Sequence, residues 1–319
     1  MNFHQRFLGI SDGLNARLER LMPILAPTGV VLGYLFPHAF IWLRPFVPWL
    51  FALTTLSGAL KLKARELGGA LKKPAPILLY FFSSHGIIPV LVFFLGGIIF
   101  GDNTDTIAGF VLLYASPAAV TALIWVSVFR GESALALALI LLAVITAPLV
   151  MPGTVYLLLG ARVSMDLRGM IISLIIMVVI PTILGVTGNE MSRGKIPDLI
   201  CPYISPLSKL LVVVIMAGNV SAAAHRINFD SPILLLMTLV YVCFTALSFL
   251  CAKFSGILAG LDPPKRVSFL FIAGMRNSVA TATIAISFFP EAVAQPAIIA
   301  MLLQQTMAAF MGKILLRRN

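Results

Sequence analysis

Tyr114-Ala115-Ser116-Pro117-Ala118-Ala119 and Ala273-Gly274-Met275-Arg276-Asn277-Ser278 each fall in the middle of a long apolar run. The first contains a proline, which removes a backbone donor. The second sets a glycine next to charged and polar residues, and neither continues a membrane helix comfortably. In lipid every backbone N–H and C=O needs a partner, so unwound chain at depth survives only where it lines a cavity or binds something. Proline alone is common in membrane helices, as Pro89, Pro148 and Pro181 illustrate. What sets these two breaks apart is their spacing. They lie about 155 to 160 residues apart in a chain of 319, as matched positions of a duplicated half would. Paired interruptions of this kind point to the binding site of a transporter.

Working outward, the chain is 60% hydrophobic and only 11% charged, against about 25% charged in soluble domains. At about 20 residues per crossing, the apolar residues suffice for nine or ten helices and little else. A soluble globular domain and a disordered chain are excluded, and three cysteines do not make a disulfide scaffold. Ten apolar segments are predicted, at 22–41, 44–60, 74–100, 107–129, 133–158, 168–188, 203–224, 231–252, 266–289 and 294–313. The expectation is an all-α membrane protein with ten transmembrane helices. An odd number per half inverts the second half, so residues 21–158 (helices 1–5) and 159–319 (helices 6–10) form inverted five-helix repeats. Helices 4 and 9 are the discontinuous pair. Residues 1–20, with Phe3, Phe7, Leu14 and Leu18 recurring among Arg6, Arg17 and Arg20, read either as a basic amphipathic segment at the membrane surface or as a plain disordered tail. No continuous apolar run follows those charges, as a secretory signal would require.

Charge fixes the orientation. Seventeen Lys and Arg fall on the side that carries both termini: Arg6, Arg17, Arg20, Lys61, Lys63, Arg65, Lys72, Lys73, Arg130, Arg193, Lys195, Lys253, Lys265, Arg266, Lys313, Arg317 and Arg318. The opposite side has four: Arg44, Arg162, Arg168 and Arg226. Basic loops stay cytoplasmic, so both termini are expected inside. The net charge of +11 then reflects topology rather than nucleic-acid binding. Compact loops fit a bacterial inner membrane, and the chain is expected to work as a monomer or weak oligomer.

Few residues offer chemistry. His4, His38, His85 and His225 are scattered, Cys201, Cys243 and Cys251 form no CxxC, and no phosphate-cradling loop is present. Asp102-Asn103-Thr104-Asp105 reads as a solvated turn, and Gly97-x-x-x-Gly101 and Gly256-x-x-x-Gly260 as helix packing. No cofactor, metal or enzymatic activity is expected. Within the ten segments only Arg276 and His85 are ionisable near mid-helix, and no Asp or Glu accompanies them. A charge at that depth costs at least ~2.5 kcal/mol and marks function by default. Arg276 either rests on carbonyls of the broken fourth helix or meets an anion from outside, whose carboxylate its guanidinium fork can grip. Asn277, Ser278, Thr121 and Ser116 supply neutral donors around it. His85, preceded by Ser83 and Ser84, is either a proton carrier or a packed helix–helix residue.

Gly274-Met275-Arg276-Asn277-Ser278 resembles the Gly-Met-Gln-Asn-Ser of the bile acid:sodium symporter family. Pro117, Arg130-Gly131 and Lys73-Pro74 extend the resemblance over essentially the whole chain. It implies a core of helices 3, 4, 5, 8, 9 and 10, a panel of helices 1, 2, 6 and 7 moving against it, organic anions bound between them, and sodium at the crossing. The sodium positions depart from that pattern. The family's acidic residue falls on Ile272, its glutamine on Arg276, its Ser-Asn pair on Ala122 and Leu123, and its third-helix glutamine on Ser84. A hard cation wants about six oxygens and nearby negative charge. Two unit positive charges 4 Å apart instead repel by ~4 kcal/mol at an effective dielectric of 20.

The expected function is therefore alternating-access transport of a small organic anion, a carboxylate or bile-acid-like molecule, in a lipid bilayer. Coupling is expected to protons (with His85 and Ser84 as candidates) or to no ion, and Arg276 stands as a tethered cation at a sodium position. Rival readings are a sodium symporter with a rebuilt cation site and an anion channel, which would more often show rings of charge along a pore.

Overall fold

A computed structural model of the chain describes residues 3–62, 74–160, 163, 166–227 and 231–316. The side chains of Phe3, Arg6, Phe7 and Arg20, and residues Lys63, Arg65, Lys72, Lys73, Arg162, Arg317 and Arg318, lie outside the described residues. The described elements are helical. In order they are α1 (Phe3–Leu35), α2 (Pro37–Ala59), α3 (Pro74–Phe100), α4 (Thr104–Ala115), α5 (Ala122–Val128), α6 (Ser133–Leu159), α7 (Leu167–Met191), α8 (Lys195–Ala223), α9 (Pro232–Leu258), α10 (Pro263–Gly274), α11 (Ser278–Phe288) and α12 (Gln295–Leu315). Among the described residues seven helices, α2, α3, α6, α7, α8, α9 and α12, are long and apolar enough to cross a membrane. Large apolar side chains such as Ile98, Leu149 and Leu157 point outward, 75–81% exposed. An apolar exterior on that scale needs lipid around it, and the chain is an integral membrane protein.

Two segments differ from expectation for identifiable reasons. Residues 3–20 and the first apolar segment form one helix, because no proline interrupts them before Pro23 and the chain carries on past it to Leu35. It stops there because Pro37 disfavours helical geometry at Phe36 (φ −124°, ψ 55°). The seventh segment starts at Lys195 instead of 203, running through Pro202 and Pro206. Pro206 has no N–H for the carbonyl of Pro202, and the Ser11 hydroxyl donates to that carbonyl instead.

The chain packs as two compact units, Met1–Ala64 with Ile175–Ala224, and Arg65–Leu174 with His225–Asn319. In the first unit α1 lies directly on α8. A Cβ at Gly29 would fall 2.6 Å from the Val213 carbonyl oxygen, and one at Gly33 2.4 Å from that of Ala217, so the backbones touch. Van der Waals contact of this kind holds helices together where lipid removes the hydrophobic drive. Gly33→Leu is expected to push the helices apart and destabilise the protein by about 1–3 kcal/mol, visible as a lower melting temperature in detergent. An unchanged melt would show that the α1–α8 contact contributes nothing.

In the second unit the chain breaks twice. α4 ends at Ala115 and α5 begins at Ala122; α10 ends at Gly274 and α11 begins at Ser278. A Cβ on Gly274 would lie 2.8 Å from the Phe249 ring, so the break needs glycine there.

Candidate functional site

The two breaks pair with each other. The Asn277 N–H donates to the Pro117 carbonyl (3.0 Å) and the Ala119 N–H to that of Met275 (3.3 Å), an antiparallel bridge between Ala118 and Arg276. Each unwound stretch thus supplies part of the backbone partners the other lacks. The antiparallel register sets Ser116 level with Ser278 and carries Thr121 beyond Met275, so the expected donors divide between two ends of the crossing.

Arg276 is 2% exposed. Its backbone N–H reaches the Gln304 side-chain oxygen (3.3 Å), and its Nη2 donates to the Ser84 carbonyl (2.9 Å). The guanidinium therefore rests on the third apolar segment, not on carbonyls of the broken fourth. The reason lies in α3. Residues Phe82–Ile87 wind as a π-helix, in which each carbonyl accepts from the fifth residue on, as Ser83 does from Ile88. The next donor in that register, for Ser84, would be residue 89, which is proline and has no N–H. One carbonyl is left free at depth, and Arg276 fills it. Nε and Nη1 have no hydrogen-bond partner, and no acidic side chain pairs with the charge among the described residues. Tyr80 is buried and His85 half-buried nearby, their rings 5.6 Å apart. The Tyr80 hydroxyl faces the Ala118 backbone and His85 faces that of Ala115, yet neither reaches hydrogen-bonding geometry. Both ring nitrogens of His85 are thus without a hydrogen-bond partner among the described residues. The void beside Arg276, between Tyr114, Tyr241, Thr245 and Gln304, is too narrow to seat a water molecule.

The other expected residues separate by exposure. Ser116 is fully buried and its hydroxyl donates to the Leu113 carbonyl (2.7 Å), closing the end of α4. Ser278 is 4% exposed. Asn277 and Thr121 are half-buried. Asn277 caps α11 with its side-chain oxygen, which accepts from the Ala280 N–H (3.1 Å), leaving the amide NH2 to donate elsewhere. Ile272 and Ala122 are fully buried and apolar, and Leu123 is half-buried, so three positions that the resemblance gives to sodium ligands carry no oxygen side chain. Ser84 keeps its hydroxyl, which with that of Ser248 converges on the Ala273 carbonyl (3.3 and 3.4 Å). At the start of α10, Lys265 donates to Asp262 (2.6 Å) and lies 3.8 Å from Glu132; hydrogen bonding to Asp262 first, then the Glu132 charge, holds its pKa above the ordinary lysine value. Residues the sequence reading passed over are Tyr80, Trp125, Gln304 and Gln305. Adjacent glutamines in an apolar span are themselves a signal of function at depth.

The sequence profile of the Sodium Bile acid symporter family matches residues 47–229. The chain is 38% identical over 303 residues to the uncharacterized protein YbaS of Bacillus subtilis, covering 93% of this chain and 97% of YbaS. The chain belongs to the sodium bile acid symporter family. It is also 24% identical to the uncharacterized sodium-dependent transporter YocS of Bacillus subtilis, over 84% of this chain and 82% of that protein. The probable sodium/metabolite cotransporter BASS1, chloroplastic, of Arabidopsis thaliana is 23% identical over 84% of this chain and 66% of its own length. The family is one of transporters, so this member is a membrane transporter and not an enzyme.

Proposed function

We propose that this chain carries a small organic anion, a carboxylate or bile-acid-like molecule, by alternating access and without sodium. Ten membrane segments form two inverted halves with both termini cytoplasmic, a panel of segments 1, 2, 6 and 7 and a core of the rest, in a bacterial plasma membrane. The observation that carries this reading is Arg276: a buried guanidinium on the Ser84 carbonyl, without a carboxylate partner among the described residues, at the crossing of two broken helices. A fixed positive charge there takes the place of a coupling cation and leaves a net attraction for an anion. At roughly 8 Å and an effective dielectric of 20 that attraction is ~2 kcal/mol. Half-buried Thr121 at one end of the crossing and Asn277 at the other offer the direct contacts, while Arg276 acts through its field with Ser278 and Ser116 behind it. A protonated His85 next to Arg276 would add a second unpaired buried charge. Proton coupling through His85 and Ser84 therefore requires the guanidinium to leave the Ser84 carbonyl; otherwise transport is uncoupled.

Sodium coupling is the competing reading, because relatives are named as sodium-dependent. Thermal stability of the detergent-purified protein in sodium chloride against choline chloride at equal ionic strength decides between them. The expected result is no difference between the salts, and a gain of ~2.7 kcal/mol from a carboxylate at 100 times its dissociation constant. Stabilisation by sodium would overturn the sodium-independent reading.

A further inference from the structure

We infer that Thr121 is a hydrogen-bond donor held ready for an acceptor-only ligand group, and that Trp125 and Gln305 are the positioning residues that aim it. The inference rests on the organic-anion reading and deepens it by naming what selects the anion. The indole N–H of Trp125 can only donate, and it donates to the Gln305 side-chain oxygen at 2.8 Å. That contact fixes which way round the amide sits, so the Gln305 NH2 must face the other direction. There it donates to the Thr121 hydroxyl oxygen at 3.3 Å. Thr121 is consequently an acceptor towards the protein, and its own proton has to point elsewhere. Nothing nearby uses that proton. Thr121 occupies the N-cap position of α5 without a side-chain capping bond, and its hydroxyl donates to no acceptor among the described residues. The relay is anchored at its far end, where the Trp125 ring stacks on Phe271 with centroids 6.4 Å apart.

The hydroxyl is half-buried beside Val120, which is 47% exposed, so it is reachable at the edge of the crossing. A hydroxyl that already accepts from the protein and has an unused proton discriminates by charge type. A carboxylate, which only accepts, satisfies it, and an ammonium or any other pure donor leaves it unpaired. Asn277 repeats the arrangement at the other end of the crossing, with its oxygen spent on α11 and no acceptor for its NH2 among the described residues.

The test measures stabilisation of the purified full-length protein by acetate, benzoate and cholate, at concentrations spanning their dissociation constants. Thr121→Val removes the donor, and Thr121→Ser keeps it. Gln305→Glu keeps the threonine but reverses it: a carboxylate accepts from both Trp125 and Thr121, turning the hydroxyl proton inward. Hydrogen bonds to a charged ligand predict about tenfold to hundredfold weaker carboxylate binding in Thr121→Val and Gln305→Glu, with Thr121→Ser close to wild type. A merely structural role for Gln305 would show as a lower melting temperature without ligand and no change in affinity. If Gln305→Glu does not fold, the Thr121→Val and Thr121→Ser pair decides. Wild-type affinity in Thr121→Val would overturn the inference and leave the anion reading standing. A wild-type protein that none of the three carboxylates stabilises would overturn both.

Discussion

Arg276→Met is expected to melt at a higher temperature than the wild type in the absence of ligand while losing most of its response to carboxylates. The two effects have separate causes. The guanidinium is buried with a single side-chain hydrogen bond, two unpartnered nitrogens and no counter-charge among the described residues. Burying such a charge costs several kcal/mol even after relaxation. Methionine fills similar volume without the charge, and the loss is the Ser84 carbonyl, orphaned at about 1–3 kcal/mol. The balance favours the variant by about 1–3 kcal/mol. Binding goes the other way. Removing ~2 kcal/mol of attraction weakens a carboxylate about 30-fold, so the stabilisation at 100 times the wild-type dissociation constant falls from ~2.7 to about 0.9 kcal/mol. Thermal melts with and without benzoate read both effects in one experiment. A variant that melts lower and responds fully to the anion would make the guanidinium a structural strut and remove it from the site.

This trade between stability and binding explains why some of the site was legible in the sequence and some was not. Apolar runs bounded by charge and proline gave α3 its limits at Pro74 and Phe100, since burial in lipid tolerates little else. Pro117 and Gly274 marked the two breaks because backbone chemistry at depth is unforgiving. A lone arginine among apolar residues declared itself for the same reason. What it rests on did not, because the free carbonyl of Ser84 depends on a π-helix register that single-residue propensities do not encode. Long-range rescue was equally hidden. Ser11 relieves the Pro202 carbonyl from 191 residues away, and Gln305 reaches Trp125 and Thr121 from 180 and 184 residues away. In each case a local rule, that proline ends a helix or that threonine caps one, is overridden by a partner no window along the chain contains.

The reversal of the cation preference tests whether Arg276 occupies a cation's place. Arg276→Gln alone should weaken carboxylate binding without gaining any sodium response, since it removes the positive charge but supplies no negative one. Ile272→Glu together with Arg276→Gln should gain it. The paired change frees the Ser84 carbonyl, adds an amide oxygen at 276, and sets a carboxylate one residue before Ala273, on whose carbonyl the Ser84 and Ser248 hydroxyls already converge. Those groups approach the number and charge of oxygens a hard cation wants. In choline chloride the double variant should melt well below wild type, because residue 272 is fully buried and an unpaired carboxylate there costs several kcal/mol. Sodium chloride should restore much of that loss, by ~2.7 kcal/mol at 100 times the dissociation constant, and do nothing for the wild type or for Arg276→Gln. Neutralising the new acid by protonation is the alternative escape, so the sodium-dependent gain should grow as pH rises and the carboxylate ionises. Identical melts in the two salts at high pH would mean that the guanidinium does not stand where a cation can bind.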